Sequence, residues 1–210
     1  MGNAPKRKNT TATKKRPSQQ PAKAQGGGGG VPWGKVGAGI GVLAAVGLAV
    51  FIGAGAPDSV PEGAPEGTET ISFGDPQHVE GEIAHPVGEN PAGGPHNPVW
   101  LTCVIYDTPV PSENAVHSLE HGAVWITYQG LGDDDVETLR GVASRRQKVI
   151  LSPEPDQAAA VRLHAWNHVL EVDRADDPRV VQFVNEFESS PTNTPELGAT
   201  CTGGIGSPIA

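Results

Sequence analysis

Asn114-Ala-Val-His-Ser-Leu-Glu-His-Gly-Ala-Val-Trp-Ile-Thr-Tyr128 changes character at its glycine, and the fold class follows from that change. The first part ends a short helix over Ser112–His121, with Ser112 as N-cap, Glu113 in the first turn and Gly122 as the stop. After it, Ala123–Tyr128 is a run of apolar and β-branched residues that predicts a buried strand. Downstream, Asp133–Arg146 suits a helix, because acids at its start and Arg140, Arg145 and Arg146 toward its end complement the helix dipole. Val149–Ser152 predicts another strand, and Val161–Val172 either one long or bulged strand or a helix. Asp177-Pro178 opens a helix through Glu188, with Val180, Val181, Phe183, Val184 and Phe187 on its apolar face. Upstream, Pro98–Tyr106 predicts a strand, His78–Ile83 a short strand-like piece, and the proline- and glycine-punctuated His85–Asn97 a loop. This order predicts an α+β domain over residues 75–204, a compact mixed sheet with two or three helices.

Charge divides the chain differently. Met1–Pro57 carries eight Lys and Arg and no acid, whereas the other seven basic residues and all 24 acids follow Pro57. Between the two regimes lies Val36–Ala56, whose 21 residues are all uncharged. At a rise of about 1.5 Å per residue such a helix covers the roughly 30 Å of a bilayer core. A transmembrane helix is expected at 34–56, preceded by a disordered basic cytoplasmic tail at 1–33 and followed by a Pro/Gly/Glu spacer at 57–74. The basic residues crowd the N-terminal flank, which puts the N-terminus in the cytoplasm and the domain outside a cell membrane crossed once. Ala54-Gly55-Ala56 has the form of a cleavage site, but a polar leader of that length favours an uncleaved anchor. The lipid bilayer is thus the first expected partner, with the basic tail on anionic headgroups rather than on nucleic acid. Gly37 and Gly41 form a GxxxG pair that permits a homodimer through the helix, beside the plainer reading of small side chains alone.

Cys103 and Cys201 are the only cysteines, and in an oxidising compartment they are expected to pair as a disulfide. Thiolate ligation of a metal is the alternative, although neither has a CxxC-type neighbour.

His117-Ser-Leu-Glu120-His121 is the sharpest chemical signal. On a helix its two imidazoles lie one turn apart on one face, within reach of one ion, and the string matches H-x-x-E-H, in which the glutamate acts as general base. Gly122 ends the helix at once, so a metal site without hydrolysis is the stronger expectation. His96 lies on a rigid turn before the 98–106 segment, with His85 and His78 on the approach. The candidate metal ligands are therefore His96, His117 and His121 with His85 as a fourth, and Glu120 orients the site from behind. A nitrogen-rich set suits Zn or Cu, and with no methionine beyond the initiator a thioether Cu(I) site is excluded. The plainer reading is that these histidines only bond backbone carbonyls. His164 and His168 are expected to serve in core or surface packing.

Gly94-Pro-His-Asn-Pro-Val-Trp100, Asn114 to Trp125, Leu151-Ser-Pro153, Ala165-Trp166 and Cys201-Thr-Gly-Gly204 resemble a bacterial family known as a domain of unknown function, found mostly in actinobacterial membrane or secreted proteins. The resemblance spans about residues 75–204 and implies export, but no activity. It departs at Asn167, where glycine is expected after Ala165-Trp166 and a tight turn is put in doubt. Three function classes remain: a membrane-anchored extracytoplasmic binding domain holding a transition metal, a metal-free domain contacting cell-envelope proteins, and, third, a metal-dependent hydrolase.

Overall fold

The computed structural model describes residues 60–86 and 88–206. Among these no helix is long and apolar enough to cross a membrane, and the expected span at 34–56 and the tail at 1–33 lie outside them. The described chain is a mixed α+β domain with five strands and three helices: β1 Glu69–Thr70, α1 Ser112–Glu120, β2 Val124–Tyr128, α2 Asp133–Ala143, β3 Val149–Pro153, β4 Val161–Ala165, β5 His168–Val172 and α3 Pro178–Phe187. The sheet order is β1-β5-β4-β2-β3. β2 and β3 run parallel, joined through α2 as such a pair requires, and the other pairings are antiparallel.

Side chains alternate across the sheet. Val124, Ile126, Leu151, Leu163 and Leu170 pack with α2 and α3, whereas Trp125, Ile150 and Val169 face α1, Leu101 and Cys201. Both faces are covered, which is why these strands read as apolar runs rather than half-polar ones. α3 is capped by Asp177, whose carboxylate accepts the Arg179 N–H at 2.9 Å. It buries Val180, Phe183, Val184 and Phe187, while Val181, expected on that face, is 42% exposed because it lies a further 100° round the helix.

Further expectations change. Val161–Val172 is neither one strand nor a helix but the β4–β5 hairpin, turning at Trp166-Asn167. Asn167 makes the turn at φ 59°, since asparagine tolerates the left-handed region without being glycine. Pro98–Tyr106 forms no continuous strand; it touches Ile205 and Leu151 through isolated bridges at Leu101 and Ile105. Its N–H groups are claimed by distant carbonyls, Asn114 for Leu101, Ile205 for Thr102 and Cys201 for Cys103, so tertiary partners override strand propensity. His78–Ile83 contributes only a bridge from His78 to His96. Lastly, Ser112 is the first helical residue and Pro111 the N-cap, with no side-chain cap bond. The spacer expected at 57–74 contributes β1, which pairs with β5, and Ala64 packs on the core.

Candidate metal centre

α1 is unusual for so short a helix in that Asn114 through Glu120 are all buried. A helix buried on every side is ordinarily apolar, so each polar group on this one needs a partner. The segment wrapped round it supplies them: Asn114 Nδ2 donates to the Val99 carbonyl at 2.5 Å, and Ser118 Oγ donates to the Leu101 carbonyl at 2.6 Å. The helix ends in a Schellman motif, the Gly122 N–H on the Leu119 carbonyl and the Ala123 N–H on the Ser118 carbonyl, both at 2.9 Å. Gly122 needs to be glycine there, since its φ is +89° and a Cβ would press on Thr194 and Ser189. This close stop leaves His121 as the C-cap, 4% exposed, one turn beyond His117.

The loop carrying His96 is held as tightly. Gly93 lies against Asn167 and Gly94, at φ +81°, against the Phe73 carbonyl, with no room for a Cβ at either. The bridge between His78 and His96 then brings a second histidine alongside.

Two groups of donors result. His78, His96, His117 and Glu120 offer donor atoms that all lie within 4.8 Å of one another, and so do His117, His121 and Glu196. His117 belongs to both, its ring centroid 4.8 Å from that of His78, 4.9 Å from that of His96 and 4.6 Å from that of His121. A tetrahedral ion with bonds of about 2.0–2.1 Å holds its donor atoms roughly 3.3 Å apart, so both groups need only modest contraction to close on one. Each has one half-exposed member, His78 (50%) in the first and Glu196 (49%) in the second; the rest is buried.

The tautomers are fixed by the backbone. His96 donates Nδ1–H to the Gly94 carbonyl at 2.8 Å, His117 to the Asn97 carbonyl at 2.7 Å and His121 to the Thr200 carbonyl at 2.7 Å. A carbonyl only accepts, so Nδ1 is protonated in all three and Nε2 carries the lone pair in the neutral ring. This orienting contact behind the ring is the one found behind metal-ligating histidines. Ahead of it, His96 Nε2 lies 3.0 Å from Glu120 Oε2 and His121 Nε2 lies 3.2 Å from Glu196 Oε2. A lone pair facing a carboxylate at that distance is repulsive unless a cation, either a proton or a metal ion, lies between them.

The shifts in proton affinity follow. Burial opposes charge on His96, but the Glu120 hydrogen bond, the Gly94 carbonyl and the Glu120 and Glu196 carboxylates outweigh it, and its pKa is raised. Burial likewise opposes charge on Glu120, yet the hydrogen bond from His96 and the neighbouring imidazoles leave its pKa lowered. His117 is pushed down, by burial first and then by His121, His96 and His78 around it, which favours its neutral, ligating form.

Sequence reasoning named His96, His117 and His121 together; the structure divides them into two neighbouring groups that meet at His117. Glu120 stands among the donors, in contact with His96, rather than behind them. His85 lies outside both groups, its pKa lowered by burial and partly restored by Glu113. His78 takes the place expected of His85, and Glu196 had no signal in the sequence, lying in an irregular segment far from α1. The second group does pair the two histidines of H-x-x-E-H with a distant carboxylate, but the glutamate that would act as base is engaged by His96.

A family model described as "Protein of unknown function (DUF3105)" matches residues 78–203, from the first histidine of the centre to just beyond Cys201. The chain belongs to this DUF3105 family. No curated protein and no solved structure matches it. All the donors of both groups fall inside the DUF3105 span, and so does the Cys103–Cys201 disulfide, with Cα atoms 5.4 Å apart. The disulfide fastens the segment that carries Glu196 and the Thr200 carbonyl behind His121.

Proposed function

We propose that this DUF3105 domain is an extracytoplasmic, membrane-anchored module that binds a divalent transition metal ion, held by Nε2 of His78, His96 and His117 and a carboxylate oxygen of Glu120. The observation that carries this reading is the arrangement of His96 and His117. Each has Nδ1 tied to a backbone carbonyl, and each turns its remaining nitrogen into one buried space shared with a carboxylate. Three imidazoles and one carboxylate suit Zn(II), Cu(II) or Ni(II) better than Mg(II) or Ca(II), which prefer all-oxygen sets. One carboxylate against a divalent ion leaves a charge that the strongly acidic chain after Pro57 offsets, and that acidity draws cations toward the site.

The membrane setting rests on the uncharged run 36–56 between a basic leader and an acidic domain. Protease added to intact cells should then remove the domain and spare the leader.

The alternative reading is a metal-free domain contacting envelope proteins, in which a proton shared by His96 and Glu120 does all that the geometry requires. Elemental analysis of the purified full-length chain, beside His117→Ala and Glu120→Gln, separates the two. One ion per chain, lost in both variants, supports the metal centre. Metal-free wild-type protein whose melting is indifferent to added Zn(II), Cu(II) and Ni(II) refutes it. Glu120→Gln is the more telling variant, because its amide can donate to neutral His96 and so preserves the packing while removing the anionic ligand.

A further inference from the structure

The ring of His117 is common to the four-donor group and to the His117/His121/Glu196 group. Its Nδ1–H is spent on the Asn97 carbonyl at 2.7 Å, so it has a single lone pair, at Nε2, to give. An imidazole bridges two metal ions only when both nitrogens are unprotonated, which this hydrogen bond opposes. The two groups are therefore alternative positions for one ion, with His117 holding it in either. They differ in strength and access. The inner group has four donors, and His96, His117 and Glu120 in it are buried. The outer group has three donors, one of them the half-exposed carboxylate of Glu196, and an anion at the surface is the stronger lure for a hydrated cation. An ion captured by Glu196 and His121 meets His117 next, and from there the larger donor set lies within one ring's width.

We propose that His117, His121 and Glu196 form a second, outer cation position through which the ion enters and leaves the four-donor centre, His117 passing it between the two. This rests on the metal-binding reading above. The outer position is built by the stapled C-terminal segment: the Glu196 N–H donates to the Glu120 carbonyl at 3.0 Å, and the Thr200 carbonyl orients His121.

A way-station has a kinetic signature. It lowers the barrier in both directions equally, so its removal slows loading and release by the same factor and leaves the equilibrium affinity untouched. The test uses the full-length chain with Co(II) as probe, its visible absorption reporting coordination, and compares wild type with Glu196→Gln and His121→Asn. Stopped-flow mixing gives the loading rate, and transfer to excess chelator gives the release rate. The expected result is a drop of about tenfold or more in both rates for each variant, with Kd unchanged within a factor of about two and one Co(II) per chain throughout. Three results overturn the proposal: rates that do not change, slower loading with unchanged release, which is electrostatic attraction alone, and two Co(II) per wild-type chain falling to one in the variants, which makes the outer group an independent site. A wild-type chain that takes up no Co(II) defeats the centre itself, and this route with it, and so is distinguishable from the other three.

Discussion

His164 should make the domain acid-labile by a calculable amount. It lies on β4, 0% exposed, with its ring 4.9 Å from that of Trp125 and neither nitrogen hydrogen-bonded among the described residues. Burial, and then the nearby Arg162 charge, hold its pKa well below the ordinary 6.5. Below pH 6.5 the unfolded chain takes up a proton that the folded chain refuses, so stability is fully present above that value and falls as pH drops toward the folded pKa. For one such group the loss between pH 7.5 and 5.5 is about 1.4 kcal/mol. With a urea slope of about 2 kcal/mol/M, the midpoint moves down by roughly 0.7 M. His96 and His117 also titrate, so the assay is a difference: urea unfolding of wild type and His164→Leu in chelator at pH 7.5, 6.5 and 5.5. The wild type should lose about 1.4 kcal/mol relative to the variant over that range. A wild-type-minus-variant difference that stays flat with pH refutes the reasoning, because the folded state would then accept the proton as readily as the unfolded one.

Three further outcomes are expected. Reducing the Cys103–Cys201 disulfide, which spans a separation of 98 residues, should cost about 4–5 kcal/mol in the chain-entropy model, read as a lower melting temperature in dithiothreitol with metal absent from both samples. Gly122→Ala forces an L-residue to φ +89° against Thr194 and Ser189 and should destabilise by more than about 1 kcal/mol in denaturant titration; a neutral effect would mean that the helix stop is not rigid. Asp177→Ala removes the α3 cap and should cost about 1 kcal/mol, whereas Asp177→Asn should keep most of it.

The sequence carried the regular elements better than the site. The helix at 112–120, its glycine stop, β2, α2, β3 and the Asp177-capped α3 were all legible, because each is set by residues within one or two turns of itself. Pro98–Tyr106 was not, since its hydrogen-bond partners Asn114, Cys201 and Ile205 lie far along the chain and claim a strand-like stretch for irregular backbone. The β4–β5 turn was missed for a local reason: Asn167 does there what glycine was expected to do. For the site, His117 and His121 could be paired from their spacing alone. The choice of His78 over His85 depends on a backbone bridge to His96 that no spacing encodes, and Glu196 reaches His121 only because the C-terminal segment folds back over α1.

That fold-back also bears on why a nine-residue helix should be both polar and buried. Desolvating two imidazoles, a carboxylate, an amide and a hydroxyl on one short helix and its C-cap opposes folding, and an apolar helix of the same size would pack more cheaply. Carbonyls of Asn97, Val99, Leu101 and Thr200 offset part of that cost by meeting these side chains from the surrounding loops. None of those bonds engages Nε2 of His117, and among the described residues the carboxylate of Glu120 meets two histidines, His96 at 3.0 Å and His78 at 3.7 Å. The backbone thus satisfies Nδ1 of His117 and of His121 and leaves their Nε2 atoms, like the Glu120 carboxylate, turned toward the donor groups. A proton shared by His96 and Glu120 meets part of that demand, and the grouping of His78, His96, His117 and Glu120 donor atoms within 4.8 Å of one another is what a metal ion would complete.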